Sequence, residues 1–190
     1  MIANRIPGGL LEGTTEFFTI SKPETQVEPM CIYNGILYDF SGTPDCRKEI
    51  LRKRMKSEPR VEHAMEVMVG PDEERKLAKF TACRYGAMNS DADIDANGNL
   101  SEPEYVPCGE RDTCKFQGTG CVSIMVREGV FLSKAQTAVF IRVKLPDKNI
   151  ADELFLSVET VKAHWKAIRK ATGLNNKIEI AIWATQKGII

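Results

Sequence analysis

Capping and helix-breaking residues divide the last 58 residues of this chain into four short helices. Pro146 must end the first helix, because proline lacks the amide hydrogen that a helix interior needs. Gly173 follows the third helix at the position where a left-handed residue is favoured. Residues suited to accept an amide hydrogen at a helix start precede the four segments: Ser133, Asp147, Ser157 and Asn176. These signals predict a small helical domain over residues 130–190.

The third predicted helix, Val158 to Thr172, has one polar, basic face and one apolar face. At about 100° per residue, six side chains fall inside an arc of about 120°. They are Glu159, Lys162, Ala163, Lys166, Arg169 and Lys170. The opposite side carries Val161, Trp165 and Ile168. Such a helix can pack its apolar face on neighbouring helices and present cations to a DNA major groove, which is about 12 Å wide.

Charge is distributed unevenly along the chain, although the formal net charge is zero. Residues 133–190 contain 10 basic and 5 acidic side chains, which gives a net charge of +5. Residues 1–132 contain 16 basic and 21 acidic side chains, which gives −5. A basic module joined to an acidic one is the asymmetry expected when only one part of a protein meets a polyanion.

The sequence of the basic module closely resembles the LuxR (GerE-type) helix-turn-helix family. The resemblance rests on NIADELFLSVETVKAH over residues 149–164, on IRKATGL over residues 168–174, and on NKIE over residues 176–179. These elements match the family in order and spacing over about 58 residues. The resemblance implies a four-helix DNA-binding domain and a transcriptional regulator that acts on double-stranded DNA. The transcription machinery is a further partner that this function implies.

The family also implies a role for individual residues of the domain. Lys162 and Lys166 would face the major groove, with Ala163 between them as a base-edge contact. The predicted DNA-contacting residues are Ser157, Glu159, Thr160, Lys162, Ala163, Lys166, Arg169 and Lys170. The last helix of the family forms a two-fold dimer, which predicts a homodimer here. The dimer candidates by this resemblance are Ile178, Ile182 and Trp183, of which Trp183 could equally belong to the core.

Two departures from the family pattern put the usual first-helix contacts in doubt. The first helix lacks the Arg-Glu pair and the second Glu usual in the family, and the connection to Asp147 is about two residues short. Region 4 of sigma factors uses similar recognition chemistry and is the nearest alternative. A metal-dependent interaction protein, or a redox sensor, is the competing class.

We expect no enzyme, because neither His63 nor His164 accompanies a convincing nucleophile or carboxylate arrangement.

Four cysteines mark a segment that has too few apolar residues to fold by burial alone, residues 83–121. Cys83, Cys108, Cys114 and Cys121 follow the spacing C-x24-C-x5-C-x6-C. Four thiolates suffice for a tetrahedral site, so zinc is the first hypothesis, with an iron-sulfur cluster or free thiols as alternatives. The remaining two, Cys31 and Cys46, are expected to be small buried residues, although either could replace one of the four.

The same segment contains a formal match to a twelve-residue calcium loop. The candidate ligands are Asp93, Asp95, Asn97, Asn99 and Glu104. Pro103 and Pro107 interrupt the flank where a calcium-binding helix-loop-helix needs an amphipathic helix. A polar loop stabilised by Asx turns is therefore the alternative to calcium binding.

Before the cysteine-rich segment, the chain predicts a small α+β module. Residues 1–29 are predicted to form a mostly extended arm, and residues 30–129 an acidic module. Asn34-Gly35 favours a tight hairpin, and helices are predicted to run to Lys56, to Val69 and to about Cys83. The predicted fold class is mainly α, with this module preceding the helix-turn-helix domain. With no apolar run long enough to cross a bilayer, we expect a cytoplasmic protein without membrane contact.

Overall fold

The computed structural model describes residues 6–20, 28–111 and 113–190. The chain divides into two compact units, Met1–Val122 and Ser123–Ile190. Within the described residues there are seven α-helices, one three-stranded sheet and one two-stranded sheet. The fold is therefore mixed α/β, with more residues in helices than in strands.

A three-stranded antiparallel sheet forms one layer of the first unit. Its strands are β1 (Thr15–Thr19), β2 (Pro29–Tyr33) and β3 (Ile36–Asp39), hydrogen-bonded in the order β1-β2-β3. Asn34 and Gly35 connect β2 to β3 with φ angles of 51° and 74°. Two consecutive positive φ values are what a tight hairpin turn needs, so the hairpin predicted from Asn-Gly is confirmed.

The central part of the predicted extended arm, residues 1–29, is a strand of the sheet and not a free arm. Residues 15–19 are the strand β1, which pairs with β2 along its whole length and buries Phe17 completely. This short β-prone run forms a strand because it pairs with β2. The residues of the run do not themselves indicate which strand is the partner. Residues 1–5 and 21–27 of the predicted arm lie outside the described residues.

Three helices and this sheet enclose the core of the first unit. The helices are α1 (Asp45–Lys56), α2 (Pro59–Val69) and α3 (Glu73–Arg84), close to the predicted helices. Asp72 caps α3 by accepting a hydrogen bond from the Arg75 amide at 2.8 Å. The core combines aromatic and aliphatic side chains of the sheet, the helices and the following loop, among them Phe17, Leu51, Met65, Leu77, Phe80 and Ile94.

The second unit begins with a two-stranded hairpin and continues with four helices. The hairpin strands are β4 (Met125–Arg127) and β5 (Val130–Phe131), and the helices are α4 (Lys134–Phe140), α5 (Asp147–Leu154), α6 (Val158–Thr172) and α7 (Lys177–Gln186). The sequence put the domain boundary at 129/130, which falls in the turn of this hairpin. The contacts of β4 with α6 explain why the hairpin belongs to the second unit.

Side chains from all four helices form the core of the second unit. Val139 and Phe140 of α4 are completely buried, as are Ile150 of α5, Ile168 of α6 and Ile180 of α7. Each helix thus contributes an apolar face to one centre. Among the described residues, no helix combines the length and the apolar character needed to cross a membrane.

Candidate nucleic-acid interface

Helix α6 separates its buried side from an exposed basic side. Val161, Trp165 and Ile168 are buried. Four basic side chains on the other side are exposed, and none of them forms a salt bridge with any residue that the structure describes. We call Lys162, Lys166, Arg169 and Lys170 the basic face of α6. Because these charges are not neutralised locally, the face attracts anions.

The remaining predicted contact residues lie on or next to the same face. Glu159 and Ala163 are exposed, and Thr160 is half-buried. The exposed Ser157 caps the helix, since its hydroxyl accepts a hydrogen bond from the Thr160 amide at 3.0 Å. All eight residues predicted to contact DNA therefore come from one helix and its cap. The amino terminus of α6 adds partial positive charge at the end that carries Ser157 and Glu159.

Helices α5 and α6 are joined by three residues and pack closely together. Ala151 of α5 is buried, and its small side chain allows the two helices to approach. Phe155 takes the left-handed φ of 54° that ends α5, and the Leu156 amide donates to the Ala151 carbonyl at 2.9 Å. This tight connection fixes the direction in which α6 leaves α5.

One carboxylate links α5, α6 and α7. Asp147, at the start of α5, accepts a hydrogen bond from the Trp165 indole nitrogen at 3.1 Å. The same carboxylate oxygen lies 2.9 Å from the Lys177 ammonium of α7, which also donates to the Leu145 carbonyl at 2.9 Å. The ammonium lies 4.8 Å from the centroid of the Trp165 ring. We call Asp147, Trp165 and Lys177 the Asp147 network; it orients α6 from its buried side.

The last helix, α7, exposes two of the three residues predicted for dimer contact. Ile178 is 73% exposed and Ile182 is 53% exposed. Trp183 instead packs its ring edge-on against Phe140, with the ring centroids 6.0 Å apart. Trp183 thus contributes to the core of the unit, which was the alternative reading of this residue from the sequence.

The first unit gathers the four predicted metal ligands around one cavity of about 220 Å³. We call Cys83, Cys108, Cys114 and Cys121 the four cavity cysteines. Cys83 comes from α3, and the other three come from the irregular segment between α3 and β4. Burial raises the pKa of the Cys83 thiol to about 11, opposed by the charge of Lys79. Cys31 is buried in the core, as predicted, whereas Cys46 is exposed on α1, so its predicted burial is wrong; neither residue lines the cavity.

The cavity cysteines share a lining but do not form a metal-binding group as they stand. Among the residues that the structure describes, no three histidine, cysteine, aspartate or glutamate side chains are arranged to hold an ion. Lys79 and Arg111 also line the cavity, and an Arg111 guanidinium nitrogen lies 3.2 Å from the Cys121 sulfur. The lining thus combines cysteine sulfurs with two positively charged side chains.

The residues of the predicted calcium loop accept hydrogen bonds from the protein itself. Asp95 accepts from the amides of Asn97 and Asn99 at 2.8 and 2.9 Å, which is the Asx-turn alternative to calcium binding. Asp93 is buried and accepts from the Phe17 amide at 2.7 Å. Glu104 accepts from the Ala87 amide at 2.9 Å. Asn97 and Asn99 are exposed.

A buried carboxyl cluster beside that loop was not predicted from the sequence. Glu16 of β1 has no exposed surface and accepts a hydrogen bond from the Asn89 amide at 2.7 Å. Burial, together with the charge of Glu104, raises the pKa of Glu16 to about 8. Burial likewise raises the pKa of Asp93 well above its usual range. A sequence signal exists, since Glu16 interrupts the β-prone run TEFFT, in which acidic residues are disfavoured.

Comparison of the chain with protein-family models, curated proteins and solved structures finds no match.

Proposed function

We propose that the chain is a DNA-binding transcriptional regulator of the LuxR helix-turn-helix type, with α6 as its recognition helix. The observation that carries the proposal is the basic face of α6, four exposed cations opposite a fully packed apolar side. A charged but irregularly packed helix could not be held at a defined depth in a groove. The close packing of α6 on α5 fixes the orientation that such a defined depth requires.

The chemistry of this face suits duplex DNA. Lysine and arginine contact phosphates or the guanine O6 and N7 atoms, and the methyl group of Ala163 can contact the thymine methyl group. A helix of about 11 Å diameter fits the major groove, whereas the minor groove is too narrow for it. The net charge of +5 over residues 133–190 adds a sequence-independent attraction to the polyanion.

The exposed apolar residues of α7 support a homodimer on DNA as part of the same proposal. Ile178 and Ile182 are one helical turn apart and both exceed half exposure. Two-fold dimers bind paired half-sites, so the operator is expected to be palindromic. Lys162 and Lys166 of each protomer would then read equivalent positions in the two half-sites.

The test is the salt dependence of duplex binding by the 190-residue chain and by two matched variants. The double variant Lys162→Ala/Lys166→Ala removes half of the basic face of α6. Lys134→Ala removes an exposed lysine of α4 and serves as the control. Fluorescence anisotropy with labelled duplex, selected from a random pool by the wild-type protein, gives the affinity at several salt concentrations.

In the proposed homodimer the double variant removes four lysines, so it is expected to lower the slope of log K against log salt by between about 1.8 and 3.6, since each phosphate contact contributes about 0.9. If one of the lysines contacts a base, the change lies nearer the lower value and the selected consensus relaxes at one position. The Lys134→Ala control should keep the wild-type slope. An unchanged slope for the double variant would refute the assignment of α6 and favour an assembly role for the second unit.

A further inference from the structure

We propose that the four cavity cysteines bind one zinc ion as a tetrathiolate site in the first unit. The inference concerns a different unit from the DNA-binding proposal and stands independently of it. It rests on the convergence of four thiols, separated by up to 38 positions in sequence, on the lining of a single cavity.

One proposed ligand comes from a helix, and the other three come from the irregular segment between α3 and β4. Cys83 belongs to the last turn of α3, a helix anchored in the core through Leu77 and Phe80. The other three cysteines lie in the irregular segment that follows α3, in which the Cys114 amide donates to the Glu110 carbonyl at 2.9 Å. Zn–S bonds of about 2.3 Å put the sulfurs roughly 3.8 Å apart in a tetrahedron. Binding therefore requires this segment to close on Cys83.

The charge around the cavity suits such a site. Zinc with four thiolates carries a net charge of −2, and each thiol must lose its proton to the solvent when it binds. Lys79 and Arg111 both line the cavity and supply two positive charges. Arg111 is further held by its stacking over the Tyr105 ring, 4.1 Å from the ring centroid, and by a hydrogen bond to the Val122 carbonyl. The cavity thus places two positive charges beside the four proposed ligands.

The segment that carries the ligands contains little regular secondary structure. Between Arg84 and Met125, the described residues form turns, bends and isolated bridges but no helix or longer strand. Structural zinc in thiolate sites supplies about 10–16 kcal/mol to small domains at neutral pH. Soft thiolates favour zinc over calcium or magnesium, which prefer oxygen ligands.

The experiment measures metal binding by the 190-residue chain, purified under reducing, anaerobic conditions. Elemental analysis gives the zinc content, and replacement by cobalt gives an absorption spectrum that distinguishes four sulfur ligands from mixed sulfur and nitrogen ligands. Three variants are compared with the wild type. Cys114→Ser removes a proposed ligand, Cys108→His replaces the exposed cavity cysteine by a nitrogen ligand, and Cys46→Ser changes an exposed cysteine outside the cavity.

The wild type and Cys46→Ser are expected to hold one zinc each and to give the same tetrathiolate cobalt spectrum. Cys114→Ser should lose zinc affinity by at least about 100-fold. If Cys114→Ser does not fold, Cys108→His still decides the question, because its cobalt spectrum must shift to that of three sulfurs and one nitrogen. An unshifted spectrum, stoichiometric iron, a disulfide between cavity cysteines in the reduced preparation, or no bound metal would overturn the proposal.

Discussion

The Asp147 network gives a prediction in which charge and hydrogen bonding can be separated. We compare Asp147→Ala, which removes both interactions of the carboxylate, with Asp147→Asn, which keeps an oxygen that can accept from the Trp165 indole. The exposed Asp152 on the same helix provides the control, Asp152→Ala.

The expected magnitudes follow from the geometry. The hydrogen bond from Trp165 to a charged acceptor is worth about 1.5–3 kcal/mol. The ion pair with Lys177 contributes about 0–1 kcal/mol, because both side chains keep about a third of their surface in solvent. An acidic residue in the first turn of α5 adds about 0.3–1 kcal/mol. Asp147→Ala should therefore lower the free energy of unfolding by about 3 kcal/mol, and Asp147→Asn by about 1 kcal/mol.

Intrinsic fluorescence is a selective assay for this unit. The chain has two tryptophans, Trp165 and Trp183, and both belong to the second unit. Urea titration followed by tryptophan emission therefore reports on α6 and α7 directly. The control Asp152→Ala should stay within about 0.5 kcal/mol of the wild type. Equal losses for Asp147→Ala and Asp147→Asn would refute the role of the indole hydrogen bond.

Three further predictions concern buried charge, close packing and capping. The raised pKa of Glu16 means that the folded state keeps a proton between about pH 4.5 and 8 that the unfolded state has released, so stability falls as pH rises through this window. Glu16→Gln should make that fall less steep in urea titrations followed by far-ultraviolet circular dichroism; an identical pH profile would contradict the burial argument. Gly9→Ala puts a Cβ 2.2 Å from the Ile32 carbonyl oxygen and should destabilise the first unit by about 1–3 kcal/mol, and a loss below about 0.5 kcal/mol in the same assay would argue against that approach. Ser157→Ala removes the cap on the Thr160 amide and should lower the stability of the second unit by about 1 kcal/mol by tryptophan fluorescence, whereas Ser157→Asp should retain it; equal losses in both variants would exclude a capping role.

Elements whose limits depend on neighbouring residues were predictable from the sequence. Helix α6 runs over the predicted residues, because Ser157 and Gly173 act locally at its two ends. The Asn34-Gly35 hairpin is equally local. The exposed face of α6 followed from helical periodicity once its apolar side was recognised.

Features that depend on long-range contacts could not be predicted in the same way. Glu16 and Asp93 are 77 positions apart, and only the pairing of β1 near residue 94 brings them into one buried cluster. The spacing of the four cavity cysteines predicted four metal ligands. It could not predict that these cysteines line one cavity. The hairpin before α4 was missed because its strands have three and two residues, too short for a periodic pattern.

That hairpin determines the shortest fragment in which the second unit can be studied alone. Arg127 of β4 donates to the Lys170 carbonyl near the end of α6 at 3.3 Å, and the Leu132 amide donates to the Ile124 carbonyl at 2.9 Å. A fragment starting at Ser133, the first helix cap, would discard the buried side chains of Ile124, Val126 and Leu132. At about 1.5–3 kcal/mol for each, this loss is comparable with the whole stability of a small domain. Expression fragments should therefore begin at Ser123.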